Sequence, residues 1–253
     1  MKAIIIGAGR GQRLMPTTAD APKCFAEVGG RRILDWAVLA FAENGLTDIC
    51  FIGGYQMDAV RRAYPQFTFR HNVDWPNNNI LASLMYAEDQ MDGPFVCCYS
   101  DILFTPEVVR RALASPADQA LVVDTKWTER YEHRSEHPPD DAEKATVHNG
   151  LVTRVHRGIP TEEADGEYIG LAKFTAAGAG TLREHYHRCK ARYGGKPFRE
   201  AKTFEKAYLI LLFQEMIEHG VPFAAVETPG GYMEIDTQQD FELAQSCWKG
   251  DSS

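Results

Sequence analysis

Three glycines stand close together behind the first apolar run of the chain. Residues 2–6 read Lys-Ala-Ile-Ile-Ile, and Gly7, Gly9 and Gly11 follow at alternate positions. Glycine lets the backbone approach a ligand closely, and consecutive amides can then point at phosphate oxygens. Arg13 and Lys23 lie just beyond and could neutralise those phosphates. A plain strand-to-helix turn is the alternative, but the spacing of the glycines favours a phosphate-binding loop.

Two well-known glycine loops do not fit this run. A dinucleotide-binding loop needs a glycine where Gln12 stands, and it needs an acidic residue after the second strand, where the chain has Gly53-Gly54. A P-loop must end in Gly-Lys-Ser/Thr, whereas this run continues as Gln12-Arg13-Leu14. The loop therefore indicates a phosphate site outside both classes.

Two aspartates follow predicted strands elsewhere in the chain. Asp101 comes after the run Phe95–Tyr99, and Asp236 ends the run Tyr232–Ile235. Mg²⁺ usually takes one or two carboxylates together with substrate phosphates, so the pair predicts a metal site. Each aspartate could instead cap a helix, because a helical pattern follows both. Glu234 shares a strand face with Asp236 and could support the metal or meet a cation on a substrate.

Four motifs together resemble those of the nucleotidyltransferase superfamily. Within it, they are most similar to the cytidylyltransferase branch that activates phosphocholine and phosphonates. The motifs keep the order of that family and span nearly the whole chain; they are Ala8–Leu14 with Pro16 and Pro22-Lys23, Asn78–Leu84, Asp165–Gly170, and Glu234–Thr237 with Asp240.

The resemblance implies a reaction in which a phosphate or phosphonate oxygen attacks the α-phosphorus of CTP and releases pyrophosphate. The attacking group is already an anion, so catalysis needs charge neutralisation and in-line positioning rather than a general base. Lys23 is expected at the α-phosphate and Arg13 at the leaving phosphates, with Arg10 a weaker candidate for that second role. Mg²⁺, held by Asp101 and Asp236, is the expected cofactor.

The nucleotide is expected between the glycine loop and the end of the second strand. Asn79 and Ser83 are four residues apart on one predicted helix face, from which both can reach the base or the ribose. The run 77–79 also suits a turn and a helix cap, and both roles can coexist. The predicted nucleotide-binding residues are Ala8, Gly9, Gly11, Gly54, Tyr55, Asn79, Ser83 and Ser100.

The sequence indicates the acceptor-binding residues less clearly than the nucleotide-binding residues. The predicted acceptor-binding residues are Lys144, Arg157, Glu167, Tyr168 and Glu234. Phosphocholine would need an aromatic cage, for which Trp127, Tyr131, Tyr168 and Tyr232 are candidates, although aromatic residues at strand ends more often serve packing. The polar stretch 129–134 favours a small phosphonate instead. A sugar-1-phosphate nucleotidylyltransferase using UTP or dTTP is the alternative, and a non-catalytic nucleotide-binding regulatory module ranks below it.

Short apolar runs alternate with helical patterns along most of the chain. This rhythm predicts an α/β fold with a mainly parallel, doubly wound mixed sheet flanked by helices, in which ligands bind at the carboxyl ends of the strands. We expect one domain over residues 1–253, with a nucleotide-binding half (1–125) and an acceptor-binding half (126–253). The polar stretch 127–143 is expected to form a small loop or lid.

The bulk composition narrows the function classes further. The net charge of −8 argues against a nucleic-acid partner, and no apolar run is long enough to span a membrane. The six cysteines lack metal-site spacing, which favours reduced thiols and a cytoplasmic location. The expected partners are CTP and a small phosphonate or phosphomonoester. The sequence does not decide whether the chain forms a homodimer.

Overall fold

The computed structural model describes residues 1–15, 17–136 and 138–250. Its strands are β1 (Lys2–Gly7), β2 (Glu27–Val28), β3 (Arg31–Arg32), β4 (Ile49–Gly53), β5 (Thr68–His71), β6 (Phe95–Tyr99), β7 (Ile102–Phe104), β8 (Gln119–Asp124), β9 (Lys144–His148), β10 (Leu151–Val155), β11 (Gly166–Phe174), β12 (Ala224–Thr228) and β13 (Tyr232–Glu234). Its helices are α1 (Ile33–Glu43), α2 (Met57–Ala63), α3 (Ile80–Leu84), α4 (Pro106–Ala114), α5 (Trp127–Tyr131), α6 (Ala176–Tyr193), α7 (Leu209–Glu218) and α8 (Gln238–Cys247).

One mixed sheet forms the centre of the molecule. Within the described residues its strand order is β5-β4-β1-β6-β11-β8-β12-β10-β9. The pairings β5–β4, β4–β1, β1–β6 and β8–β12 are parallel, whereas β11 runs antiparallel to both β6 and β8. Strands β1, β4 and β6 therefore end at the same edge of the sheet, where β11 begins.

Helices cover both faces of this sheet because the side chains of each central strand alternate between two cores. In β1, Ile4 and Ile6 pack with apolar residues of α3, α6 and α7. Ala3 and Ile5 pack with apolar residues of α1, α2 and α4 on the opposite face. The expected doubly wound α/β arrangement is confirmed, although the parallel rhythm stops where β11 inserts between β6 and β8.

Three short elements depart from the sequence-based expectation. The predicted helix that carries Ser83 is short, because α3 gives way to a 3-10 helix (Met85–Gln90) with non-helical dihedral angles at Ala87. The stretch 127–143 holds α5 and a 3-10 helix (Pro139–Asp141) rather than only a loop, and His137 lies outside the described residues. Strand β7, only three residues long, directly follows Asp101 and pairs with β13.

None of the helices in the described part of the chain has the length and apolar character needed to cross a membrane.

Candidate active site

The glycine loop leaves β1 at the ligand edge of the sheet. Gly11 adopts a left-handed conformation (φ 66°), and a Cβ there would lie 2.8 Å from the Cβ of Lys23. Only glycine suits this position, because both the dihedral angle and the lysine side chain exclude a larger residue. The amides of Gly9, Arg10 and Gly11 donate to no acceptor within the described residues, so they are free to bind phosphate oxygens.

Lys23 lies beneath this loop, between two carboxylates. Its Nζ is 2.7 Å from Oδ2 of Asp101 and 2.7 Å from Oδ1 of Asp236. The lysine side chain is only 9% exposed. Burial by itself lowers the pKa of Lys23, but the two carboxylates outweigh burial, so the pKa lies above its ordinary value and the ammonium stays charged.

Arg13 stands at the outer side of the same cluster. Its guanidinium contacts the second carboxylate oxygen of Asp236 and lies 3.6 Å from Oδ2 of Asp141. Because its side chain is more than half exposed, it can turn towards an incoming phosphate at little cost.

A short strand pair brings the two aspartates together. Strands β7 and β13 pair with Ile102 opposite Glu234, and the amide of Ile235 donates to the carbonyl of Asp101 at 2.9 Å. Neither aspartate lies at a helix N-cap position, since Thr105 occupies that position in α4 and Thr237 caps α8. Instead, both carboxylates contact Lys23, and Asp236 also contacts Arg13.

The chemistry of this donor pair fits Mg²⁺. Both carboxylates accept a hydrogen bond from the ammonium of Lys23. The two accepting oxygens are therefore separated by at most twice the length of one hydrogen bond. Mg²⁺ typically uses one or two carboxylates and fills its other positions with water and substrate phosphates. The described residues hold no cluster of three or more His, Cys, Asp or Glu side chains suited to a metal. A site here would thus depend on the nucleotide for its remaining ligands.

A cleft of about 720 Å³ opens over the glycine loop and the lysine–aspartate cluster. One wall consists of the glycine loop and residues 75–83, and we call it the nucleotide end because the sequence predicts the nucleotide there. Asn79 and Ser83 both line this wall, together with Ser100, Ala8 and Gly9. Asn79 also caps α3 by accepting a hydrogen bond from the amide of Ile80 at 2.8 Å. Asn79 therefore both caps α3 and lines the cleft.

A buried asparagine network stiffens the nucleotide end. Asn72 donates to Oδ1 of Asn78 and to Oγ of Ser83, each at 2.9 Å, and it accepts from the side chain of Asn78. Its own amide donates to the carbonyl of Gly53 at 2.8 Å. The network ties the end of β4 to the start of α3, which fixes the wall on which a base would lie.

Gly54 and Tyr55 support this wall from behind rather than lining it. The amide of Tyr55 donates to the carbonyl of Ala8 at 2.9 Å. A Cβ on Gly54 would lie 2.6 Å from the Trp75 ring and 2.7 Å from that carbonyl. Trp75 itself lines the cleft, with its ring edge-on to Tyr55 at 5.8 Å. Trp75 therefore lines the cleft, whereas the predicted Gly54 and Tyr55 do not.

The opposite side of the cleft, the acceptor end, is charged and aromatic. Arg157, Glu143, Tyr208 and Glu234 line it. Tyr99 donates its hydroxyl to Oε2 of Glu143 at 3.1 Å. Burial raises the pKa of Glu143 to about 7, although Arg157 and the tyrosine hydroxyl oppose the increase.

A smaller recess continues from the acceptor end. Glu167 and Tyr168 line it, as does Tyr232. Glu167 is held by the hydroxyl of Tyr131 at 2.7 Å and by the guanidinium of Arg130. Glu167 thus lies beside the cleft with its charge already compensated.

Lys144 lies away from both cavities. Its side chain is buried, and its ammonium donates to the carbonyl of Pro139 at 2.9 Å. The preceding residue, Glu143, lines the cleft instead. The structure therefore brings Arg157 to the acceptor end and uses Lys144 to hold the 3-10 helix at 139–141.

The segment 127–143 is fastened to the start of α8. Nε of Arg134 lies 2.9 Å from Oδ1 of Asp240, and its terminal nitrogen donates to the carbonyl of Glu234 at 2.8 Å. The amide of Ser135 donates to Gln239 at 2.8 Å. These contacts connect the predicted lid to β13 and to the start of α8, the two elements on either side of Asp236.

Several cleft residues are absent from the predicted set. Asn78 opens the motif Asn78–Leu84, and Trp75 lies three positions before it, so a site extended along this segment would have included both. Tyr208 precedes an apolar helix, and Tyr99 ends a buried strand; each position suits packing equally well. Only their places in the folded chain reveal them.

The family model described as MobA-like NTP transferase domain matches residues 3–201 of this chain. Among curated relatives, CTP:phosphoglutamine cytidylyltransferase of Campylobacter jejuni is 28% identical over 253 residues, which cover 96% of this chain and 98% of the relative.

Two solved structures share the fold at 18% identity. The inositol-1-phosphate CTP transferase of T. maritima has a TM-score of 0.74 and covers 100% of this chain and 98% of its own. CTP:phosphocholine cytidylyltransferase of Streptococcus pneumoniae has a TM-score of 0.71 and covers 98% of this chain and 99% of its own. The resemblance to nucleotidyltransferases that the motifs suggested is confirmed.

Proposed function

This chain belongs to the MobA-like NTP transferase family, and we propose that it is a CTP-dependent cytidylyltransferase. In this proposal it transfers CMP from CTP to a small acceptor that carries a phosphate or phosphonate group, and it releases pyrophosphate. The observation that carries the proposal is the position of Lys23, buried between Asp101 and Asp236 where the nucleotide end meets the acceptor end.

The relatives support the choice of CTP. The C. jejuni protein, which aligns with 96% of this chain, is named for CTP and for a phosphorylated acceptor. The nucleotide end offers free loop amides for phosphates and a wall with Trp75, Asn78 and Asn79 for a base. Hydrogen-bonding amides beside an aromatic ring suit a pyrimidine, whose edge and face can both be contacted.

The cleft provides what attack by an anionic oxygen requires. The acceptor oxygen needs no general base, and among the described residues no histidine lines the cleft. Lys23 would neutralise the α-phosphate and the approaching acceptor, and Arg13 would contact the leaving phosphates bidentately. Both cations are already concentrated beside the free amides, so two anions can approach each other with less repulsion.

We propose Mg²⁺ as the cofactor, held by Asp101 and Asp236. When bound, it would supply Lewis-acid polarisation of the phosphate oxygens and additional positive charge. Lys23 donates to both of these carboxylates, so it lies directly beside the place where the metal would be held.

Pyrophosphate release tests the proposal directly. The purified protein is incubated with each nucleoside triphosphate, Mg²⁺ and a panel of phosphomonoesters and phosphonates, with a hexose 1-phosphate included. We expect release with CTP and at least one small acceptor. Activity with UTP or dTTP and the hexose phosphate, but none with CTP, would make the protein a sugar nucleotidylyltransferase instead.

A further inference from the structure

The acceptor end of the cleft shows what kind of acceptor it suits, given the cytidylyltransferase function proposed above. The main cleft and the smaller recess share several lining residues, so they form one continuous path away from Lys23. The shared residues are Arg13, Tyr99, Glu143, Arg157, Glu234 and Asp236. An acceptor whose phosphate reaches Lys23 must extend its tail along this path.

Two aromatic faces along this path are already covered by guanidinium groups. Arg157 lies 4.0 Å from the centre of the Tyr208 ring, and Arg130 lies 4.6 Å from that of Tyr232. Tyr99 and Tyr168 also line the path, and their rings pack edge-on against each other. A quaternary ammonium needs open aromatic faces, so the covered rings of Tyr208 and Tyr232 do not suit a choline group.

Arg157 provides a place for an anion. Its nearest carboxylate contact, with Oε1 of Glu143, is 3.6 Å long and is too long for a hydrogen bond. Its Nε is buried and has no hydrogen-bond partner in the described chain. The Arg157 side chain as a whole is 32% exposed and lines the cleft, and a carboxylate matches the planar fork of a guanidinium.

Glu143 provides a place for a cation directly beside Arg157. Its side chain is 9% exposed, and it accepts one hydrogen bond, from Tyr99. Burial with so few partners disfavours the ionised carboxylate, as the raised pKa of Glu143 shows. The guanidinium of Arg157 is too distant to neutralise the carboxylate of Glu143 well. An ammonium bound beside Glu143 would neutralise it.

We propose that the acceptor ends in an α-amino acid group, with its ammonium against Glu143 and its carboxylate against Arg157. The two protein groups lie within 3.6 Å of each other, which matches the adjacent charges of an amino acid. A tail with only a positive charge would leave Arg157 unsatisfied, and a neutral polyol would leave both groups unsatisfied.

Two pairs of acceptors that differ only in the carboxylate test this proposal. O-phosphoserine is compared with phosphoethanolamine, and 2-amino-3-phosphonopropionate with 2-aminoethylphosphonate, all with CTP and Mg²⁺. We expect kcat/KM to favour the carboxylate-bearing member of each pair by roughly 10-fold to 100-fold, the range of a charge-assisted hydrogen bond. Phosphocholine should be poorer than phosphoethanolamine.

Arg157→Met shows whether the guanidinium is the cause of this preference. In the variant the ratio of kcat/KM within each pair should fall to near one, while its melting temperature and its binding of CTP report an intact fold. Arg154→Met is the matched control, because Arg154 lies on β10, is half exposed and contacts Glu163 away from the cleft. The ratio should be unchanged in that control.

The possible outcomes distinguish a failure of the amino acid proposal from a failure of the cytidylyltransferase function on which it rests. Equal or better turnover of the acceptors that lack the carboxylate refutes the amino acid group and leaves the cytidylyltransferase intact. A preference that persists in Arg157→Met also refutes it. Failure of CTP with every phosphate and phosphonate acceptor contradicts the proposed function itself, and the amino acid proposal with it.

Discussion

The two ends of the cleft are built in different ways. The nucleotide end uses backbone amides and short contiguous runs, the glycine loop and residues 75–83. The acceptor end collects side chains from separate parts of the chain, with Glu143 before β9, Arg157 after β10, Tyr208 before α7 and Glu234 on β13. If the proposed function is right, triphosphate binding would depend on backbone conformation, whereas acceptor choice would depend on a few side chains.

This difference predicts separable effects of substitution. Changes at the nucleotide end should alter KM for CTP with every acceptor, because all acceptors share that substrate. Changes at the acceptor end should alter the ranking of acceptors and leave CTP binding nearly constant. Changes at the junction should affect turnover whichever acceptor is used.

Lys23→Met at the junction should have the largest effect. Removing the ammonium takes away charge stabilisation of the transferring phosphate, so kcat should fall by roughly 10³-fold with every acceptor. Steady-state pyrophosphate release measures it. The variant also leaves two carboxylates facing each other, so its melting temperature at neutral pH should be lower and should recover at acidic pH. Unchanged turnover would falsify the assignment of Lys23.

Asp236→Asn tests the metal at the same junction. Loss of one carboxylate should lower kcat by about 10²-fold and raise the Mg²⁺ concentration needed for half-maximal activity. A magnesium titration of turnover measures both. Glu242→Gln, on the exposed surface of α8, is the control and should behave like the wild type. If the variant keeps the wild-type magnesium dependence, Asp236 does not hold the metal.

Gly9→Ala tests the backbone character of the nucleotide end. A Cβ at this position would meet nothing within 4 Å in the protein, so the melting temperature should be unchanged. It would, however, project where phosphates approach the loop, and KM for CTP should rise by roughly 10-fold with every acceptor. Gly93→Ala, where a Cβ also meets nothing, is the matched control. An increase confined to one acceptor would contradict the division of the cleft.

Glu143→Gln should have the smallest effect, at the acceptor end. Burial raises the pKa of Glu143 from 4.5 to about 7, so the native protein binds a proton more tightly than the unfolded chain does. The stability of the wild type relative to the variant should therefore fall as pH rises from about 4.5 to about 7, by on the order of 2 kcal/mol. Urea unfolding across this pH range measures it.

The control for this experiment is Glu132→Gln, at an exposed position. Its stability relative to the wild type should not change with pH over the same interval. If the stability difference between the wild type and Glu143→Gln also does not change with pH, burial does not raise the pKa of this carboxyl group. In activity assays, KM for CTP should be alike in both variants.

The sequence by itself determined the family and the position of the glycine loop. The glycine spacing, Lys23 and the order of the motifs are contiguous in the chain, and local backbone conformation largely fixes their geometry. The alternation of apolar runs and helical patterns likewise predicted the α/β fold, because each strand must bury both faces. Of the motif residues, Pro16 lies outside the described part of the chain.

Only the tertiary structure decided the junction and the acceptor end. Asp101 and Asp236 are 135 positions apart in number, and the pairing of β7 with β13 brings them to one ammonium. The cleft is lined by Glu143 rather than by the predicted Lys144. It is lined by Trp75 rather than by the predicted Gly54 and Tyr55. Packing between elements that are distant in sequence decides which side chains face the cleft. The local sequence pattern therefore does not predict them.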